Sequence, residues 1–187
     1  SSEPSLKWAH RLRSLHDAVL VGAGTVLKDN PQLTVRMVKG RNPLRIVADS
    51  KLSIPLSSRI LRDVENAPTI IAATSQADSE KTLALNVMGI EVLTVEEDKK
   101  GMVNLKDLLK ELGERNISSI LVEGGAKTIT SFLRSGLADK VVAIIAPKIM
   151  GKGVETVQDL GIRKVNRSLK LSFDRVYRKG EDLVVEA

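Results

Sequence analysis

The 187-residue chain contains no cysteine, which excludes disulfide frameworks, thiolate zinc sites and cysteine nucleophiles. Aromatic residues make up 2% of it against an apolar fraction of 42%. The core must therefore be aliphatic, and the usual stacking platform for single-stranded nucleic acid is missing. Histidine is nearly as scarce, with His10 and His16 together in one early segment. No H-E-x-x-H arrangement or Ser-His-Asp set can be assembled, and no metal site is expected. No apolar run approaches the roughly 20 residues that span a bilayer. The opening SSEPSLKWAH is unlike a signal peptide, so a cytoplasmic protein without membrane contact is the expectation.

What is abundant is scattered charge. The formal net charge is +6 and the pI about 9.6, but lysine and arginine alternate with acids instead of forming a basic tail. That pattern predicts a solvated surface with a few anion contacts and no nucleic-acid partner. A chain of this length can bury a full core. With neither linker nor repeat, it reads as a single domain over residues 1–187.

Two motifs are near misses. In VGAGTVL, Leu27 stands where G-x-G-x-x-G needs its third glycine. In GGAKT, Ala126 and Leu121 stand where a phosphate loop needs glycine. Kinase and nucleotidase readings fall accordingly.

The organising stretch is residues 119–153, SILVEGGAKTITSFLRSGLADKVVAIIAPKIMGKG. Residues 119–122 form an apolar strand that ends at Glu123, Gly124 and Gly125. Ile129, Phe132, Leu133 and Leu137 recur at helical spacing, with Gly136 placed to stop the helix. Residues 141–146 read as a second strand covered on both faces. A glycine pair between strand and helix exposes backbone N–H groups to an anion, although an ordinary tight turn has the same composition. Glu123 could cap the helix that follows or hold a substrate donor group.

Elsewhere, Ser2 and Pro4 mark a helix start, with Trp8, Leu12 and Leu15 on one face and His10 on the surface. Residues 18–21 form a strand that runs into a glycine-rich turn and a polar loop with Asp29, Asn30 and Pro31. Further strands are predicted at 44–49, 69–73 and 91–95, and a helix begins at Ser79 and ends at Gly89. Asn104 caps a helix carrying Leu105, Leu108, Leu109 and Leu112, which Gly113 stops. At the end, alternating Leu169, Leu171 and Phe173, a turn at Lys179 and Gly180, and residues 183–185 predict an antiparallel hairpin. The class is α/β, three layers (α/β/α) around a mostly parallel sheet. From the residues alone, the function is binding of a phosphorylated ligand or dinucleotide, and hydride transfer suits a site with few catalytic side chains.

Four blocks taken together, DAVLVGAGTVLKDNPQLTVR, NPLRIVADSKLSIP, the 119–153 stretch and YRKGEDLVVE, resemble the pyrimidine reductase of riboflavin biosynthesis, the RibD C-terminal domain family. The resemblance implies a dihydrofolate-reductase-like fold, a homodimer and NADPH-dependent reduction of a ribosylamino pyrimidine phosphate to its ribitylamino form. Whether that substrate is the diaminopyrimidinone or the deaminated uracil stays open. By the same resemblance, the cofactor contacts are Thr25, Asp29, Ser50 and the run Gly125, Ala126, Lys127, Thr128, Ile129, Thr130 and Ser131. Arg13, Leu33, Arg36 and Glu123 lie on the substrate side. Arg36 or Arg13 would hold the phosphate, and Glu123 is the catalytic-site carboxylate that orients the substrate.

Two departures qualify this picture. The family's first strand and Asp-Gly-Lys loop would precede residue 1. Ser53 stands where some relatives carry an arginine, leaving Lys51 as the candidate partner for the cofactor's 2′-phosphate. A pterin or dihydrofolate-type reductase and a non-catalytic phosphate-ligand-binding module are the alternatives.

Overall fold

Three runs rich in β-branched and small apolar residues, Ala18–Gly22 (β1), Leu44–Ala48 (β2) and Thr69–Ala73 (β3), suit strands buried on both faces. In the computed structural model, which describes residues 1–151 and 153–187, they lie side by side. Glu91–Thr94 (β4) and Ile120–Val122 (β5) complete a parallel sheet ordered β4-β3-β2-β1-β5. Its register pairs Leu20 with Ile46 and with Val122, so the three strand ends reach the same rim.

Alternation along each strand divides the core in two. Val19, Val21, Val47, Ile71 and Ala73 face one layer; Ala18, Leu20, Ile46, Ile70 and Ala72 face the other. The α-helices among the described residues are Glu3–Leu15 (α1), Ala23–Asp29 (α2), Ser79–Val87 (α3), Leu105–Glu114 (α4) and Ala126–Arg134 (α5). Val26 of α2 and Leu85 of α3 join the first layer, whereas Leu108 and Leu112 of α4 and Phe132 of α5 join the second. Each such aliphatic side chain contributes on the order of 1.5–3 kcal/mol on burial, and the three-layer expectation is met.

The remaining strands, Val142–Ile145 (β6), Arg175–Lys179 (β7) and Asp182–Glu186 (β8), form a small antiparallel sheet ordered β6-β8-β7. This corrects two expectations. The run 141–146 is not covered on both faces: it is half-buried, and Ile145 is 53% exposed. An apolar run signals burial but not its neighbour, and here the chain's last residue claims it, through Val141 N–H to Ala187 O and Ala187 N–H to Val141 O. Leu169, Leu171 and Phe173 alternate but form no strand. Their side chains are exposed, Phe173 by 70%, and the hairpin consists of β7 and β8 alone.

Three local expectations also change. Residues 23–29 form helix α2 rather than a loop, because Val26 and its neighbours pack on the sheet and Asn30 closes the turn at φ 42°. Gly113 lies inside α4, which runs to Glu114, and the left-handed residue after it is Asn116. His10 is buried rather than on the surface, at 7% exposure.

Helix α1 links the two sheets. At its start Ser2 donates through N–H and hydroxyl to Asp182, at 2.6 and 2.9 Å. Trp8 meets Tyr177 edge-on at 6.3 Å, with Lys179 Nζ 4.9 Å from the indole centroid. At its other end Arg13 reaches the end of β5.

Candidate active site

The chain leaves β5 through Glu123, whose N–H still donates to Leu20 O at 2.9 Å. It then turns on Gly124 and Gly125, at φ +66° and +77°. That left-handed backbone admits glycine without strain. Helix α5 starts at once, with Gly125 as its N-cap and no side-chain cap. The first N–H groups of α5 therefore have no intrahelical partner and, with the helix dipole, favour an anion.

Helix α2 supplies the opposite wall. A Cβ on Gly125 would lie 2.6 Å from Thr25 Oγ1, and one on Gly22 would strike Thr128 Oγ1. Backbone and hydroxyls meet here without room for a methyl group. Thr25 Oγ1 is buried and has no hydrogen-bond partner among the described residues, although such groups are nearly always satisfied. A bare helix end, a glycine pair and an orphaned hydroxyl fit the pyrophosphate and ribose of a dinucleotide cofactor.

Beside this turn, Arg13 Nε and Nη2 donate to Glu123 Oε1 and Oε2 at 2.6 and 2.7 Å. Side-chain exposures of 14% and 22% place this forked pair partly out of water, where charge-assisted bonds are strongest. Arg13 Nη1 also donates to Thr34 O at 3.2 Å. One guanidinium thus joins α1, the end of β5 and the loop after α2.

That loop carries Arg36, whose exposed guanidinium donates through Nη1 to Gln32 Oε1 and Thr34 Oγ1, at 2.9 and 2.8 Å. Partial desolvation lowers its pKa from the usual arginine value, and the Arg13 and Arg59 charges add to the effect. Its backbone N–H donates to His10 Nδ1 at 3.1 Å. Burial first, then the Arg13 and Arg36 charges, also lower the His10 pKa, against an opposing Glu123. The result is a positive cluster around one clamped carboxylate, a suitable receiver for a phosphate.

The other anticipated residues divide. Gly125, Ala126, Lys127 and Thr128 form the bare helix end. Ile129 N–H is already bonded to Gly125 O, and Ser131 Oγ donates to Lys127 O. The Thr130 hydroxyl is consumed, donating to Ala126 O at 2.6 Å and accepting from Gln158 N–H at 2.7 Å. Asp29 ends α2 and is exposed. Leu33 has φ +55° and lies in the core, 4% exposed, so its side chain does not face the site opening.

Ser50 is buried, and its hydroxyl accepts Val103 N–H at 3.0 Å. Lys51 is exposed beside it, whereas the Ser53 hydroxyl donates to Asp49 at 2.8 Å.

Two supporting residues escaped the sequence. His10 lies one helical turn before Arg13, a spacing that puts both on one face. Arg45, 1% exposed inside β2, has only carbonyls for partners among the described residues: Gln32 O at 3.3 Å, Arg62 O at 2.9 Å and Ala67 O. Burial lowers its pKa to about 10 despite an opposing Asp63. An arginine in the apolar run LRIVA was the available signal.

A family model described as the RibD C-terminal domain matches residues 1–185. The chain belongs to the RibD C-terminal domain family. It is 46% identical over 186 residues to the riboflavin biosynthesis protein RibD of Aquifex aeolicus, covering 99% of this chain and 50% of that protein. It is 38% identical over 186 residues to that organism's 2,5-diamino-6-ribosylamino-4(3H)-pyrimidinone 5′-phosphate reductase, covering 98% of this chain and 81% of the other. A Thermotoga maritima deaminase and 5-amino-6-(5-phosphoribosylamino)uracil reductase superposes with TM-score 0.78 at 33% identity, over 100% of this chain and 48% of that one. The chain thus spans about half the length of the Aquifex RibD protein and of the Thermotoga chain. Among the described residues, no helix is long and apolar enough to cross a membrane.

Proposed function

We propose that this RibD-family chain carries the reductase half-reaction: NADPH-dependent reduction of the ribosylamino side chain of a phosphorylated pyrimidine to the ribitylamino form. The observation that carries the reading is the uncapped start of α5, with Gly124, Gly125 and the orphaned Thr25 hydroxyl, immediately beside the Arg13–Glu123 pair and Arg36. The dinucleotide side at the 123–125 turn adjoins the phosphate side on the loop after α2 through Arg13, which bonds both Glu123 and Thr34.

The cofactor would supply hydride to C1 of the sugar, and the chain's own groups supply placement. The first N–H groups of α5 and the Thr25 hydroxyl hold the pyrophosphate side. Lys51, exposed at the end of β2, is the cation available for a 2′-phosphate. Arg36 takes the substrate phosphate by a forked guanidinium contact. Glu123, fixed by Arg13, presents its remaining lone pairs to donor groups of the substrate. It orients the ring and is not asked to move a proton.

The protein acts as a homodimer in this reading. The support is that Ile145, Ile149, Met150, Leu171 and Phe173 are each exposed in a single copy, where large apolar side chains gain from a partner surface.

The experiment is NADPH oxidation with the diaminopyrimidinone and aminouracil ribosylamino phosphates supplied separately, and with dihydrofolate as a third substrate. Turnover of one of the two pyrimidines is the expected result and fixes the substrate. Turnover of dihydrofolate alone would replace this reading with a folate-type reductase. Tight NADPH binding without turnover would leave a binding module.

A further inference from the structure

Within the site, His10 is a buried titratable group to which the reductase chemistry gives no task. Its Nδ1 accepts the Arg36 backbone N–H at 3.1 Å, which requires a lone pair on that nitrogen. Only the neutral ring with its proton on Nε2 provides it; an imidazolium has two donors and no acceptor. Two residues earlier in the same loop, Thr34 O accepts from Arg13 Nη1 at 3.2 Å. His10 and Arg13, one turn apart on α1, therefore hold the two ends of Thr34-Val35-Arg36.

The loop turns through positive φ at Asn30 and Leu33, and the His10 bond to Arg36 N–H joins those between Asn42 and Val35 and between Arg13 and Thr34 in holding its far end. Once the backbone is held, the Arg36 guanidinium is placed by Gln32 and Thr34 through a single nitrogen, Nη1.

We propose that neutral His10 is a positioning residue that fixes the Arg36 backbone, and that protonation of His10 releases the loop and weakens capture of the substrate phosphate. The inference rests on the reductase reading only for the role given to Arg36; the hydrogen bond stands without it.

The groups facing the ring come from three elements: Arg13 on α1, Thr34 and Arg36 on the loop, and Glu123 at the end of β5. Two of them are cations, and a charged ring would be a third positive group in a partly dry space. Burial and these arginines hold the folded ring's pKa below its ordinary 6.5, against Glu123 and the Thr34 carbonyl. In the acid window below 6.5 the unfolded chain binds the proton more readily than the folded one, so falling pH works against the folded arrangement.

The test compares wild type, His10→Asn and His10→Ala. The asparagine amide oxygen can accept the Arg36 N–H but does not titrate. His10→Ala is expected to raise KM for the phosphorylated pyrimidine about five- to tenfold at neutral pH with little change in kcat, the size of one lost hydrogen bond. His10→Asn is expected to recover most of that loss. On acidification every form shows the rise in KM that comes from protonation of the substrate phosphate, whose second pKa is near 6. Wild type is expected to show an additional rise that His10→Asn lacks.

Identical pH profiles for wild type and His10→Asn would overturn the proposal, as would a wild-type KM in His10→Ala. Should the alanine variant fail to fold, the asparagine comparison still decides.

A second readout needs no substrate: the Arg36 amide resonance, followed by NMR against pH, must move with the His10 ring titration. A ring that titrates while that amide stays fixed also overturns the proposal. Co-titration without turnover in any form would sink the reductase reading and leave the hold of His10 on Arg36 in place.

Discussion

Arg13 and Glu123, 110 residues apart in sequence, meet as a two-pronged ion pair at 2.6 and 2.7 Å. Both had been anticipated as groups that touch substrate. Their pairing means that neither acts as a free charge. Arg13 aims the carboxylate, and Glu123 keeps the guanidinium turned inward from the loop it also anchors.

Breaking this pair should therefore cost more than one contact. Arg13→Lys retains the charge but loses the fork, and kcat/KM is expected to fall roughly tenfold or more. Glu123→Gln is expected to do the same with the fold preserved. In the double variant the losses should not add, since each change removes the same interaction. Steady-state kinetics on the four proteins checks this.

The glycine turn offers a graded comparison. Gly124→Ala and Gly125→Ala both place a side chain at positive φ, at a cost of about 1–2 kcal/mol each. Only at Gly125 does the new methyl also approach the Thr25 hydroxyl, at 2.6 Å; at Gly124 the nearest atom lies 3.8 Å away. NADPH affinity, read by fluorescence titration, should fall much more in Gly125→Ala than in Gly124→Ala. Thermal stability should fall in both.

Arg45 serves the fold. Arg45→Met removes the donor to three carbonyls; each buried group left unsatisfied costs about 1–3 kcal/mol. A clear loss of stability in denaturant unfolding is the expected outcome, accompanied by a higher KM because Gln32, beside the Arg36 guanidinium, loses its backbone tether.

The exposed apolar side chains at 145–150 and 169–173 predict assembly. Phe173→Asp should shift the protein from dimer to monomer in sedimentation, because a charge would then sit in a desolvated interface. An unchanged dimer would place the interface elsewhere.

What the sequence could and could not reveal follows from which interactions are local. The strand at 69–73 is legible because every one of its residues is buried, so a continuous apolar run states both its extent and its setting. The cap of α4 is legible because Asn104 accepts from Lys106 and Asp107 N–H, two and three residues further on.

The errors share a different cause. Residues 141–146 are as apolar as a central strand, but their partner is β8, some forty residues later. Residues 169–173 alternate like a strand and find no partner at all among the described residues. His10 looked like surface because its acceptor role depends on Arg36 arriving from 26 residues away. The glycines at 22 and 24 suggested a loop, whereas the packing of Val26 makes that stretch helical. At the site, the glycine turn and the basic residues were readable as types. That Glu123 is clamped and that the Thr130 hydroxyl is spent inside the fold required coordinates.

A reductase of this kind must deliver hydride to the sugar of a phosphorylated pyrimidine. The most direct test uses NADPH carrying deuterium at the transferred position of its nicotinamide, with NMR of the pyrimidine product. Deuterium at C1 of a ribityl chain is the predicted result, with the label lost in step with Arg36→Ala and Glu123→Gln. Oxidation of the cofactor without label in the pyrimidine, or no oxidation with either pyrimidine, would contradict it.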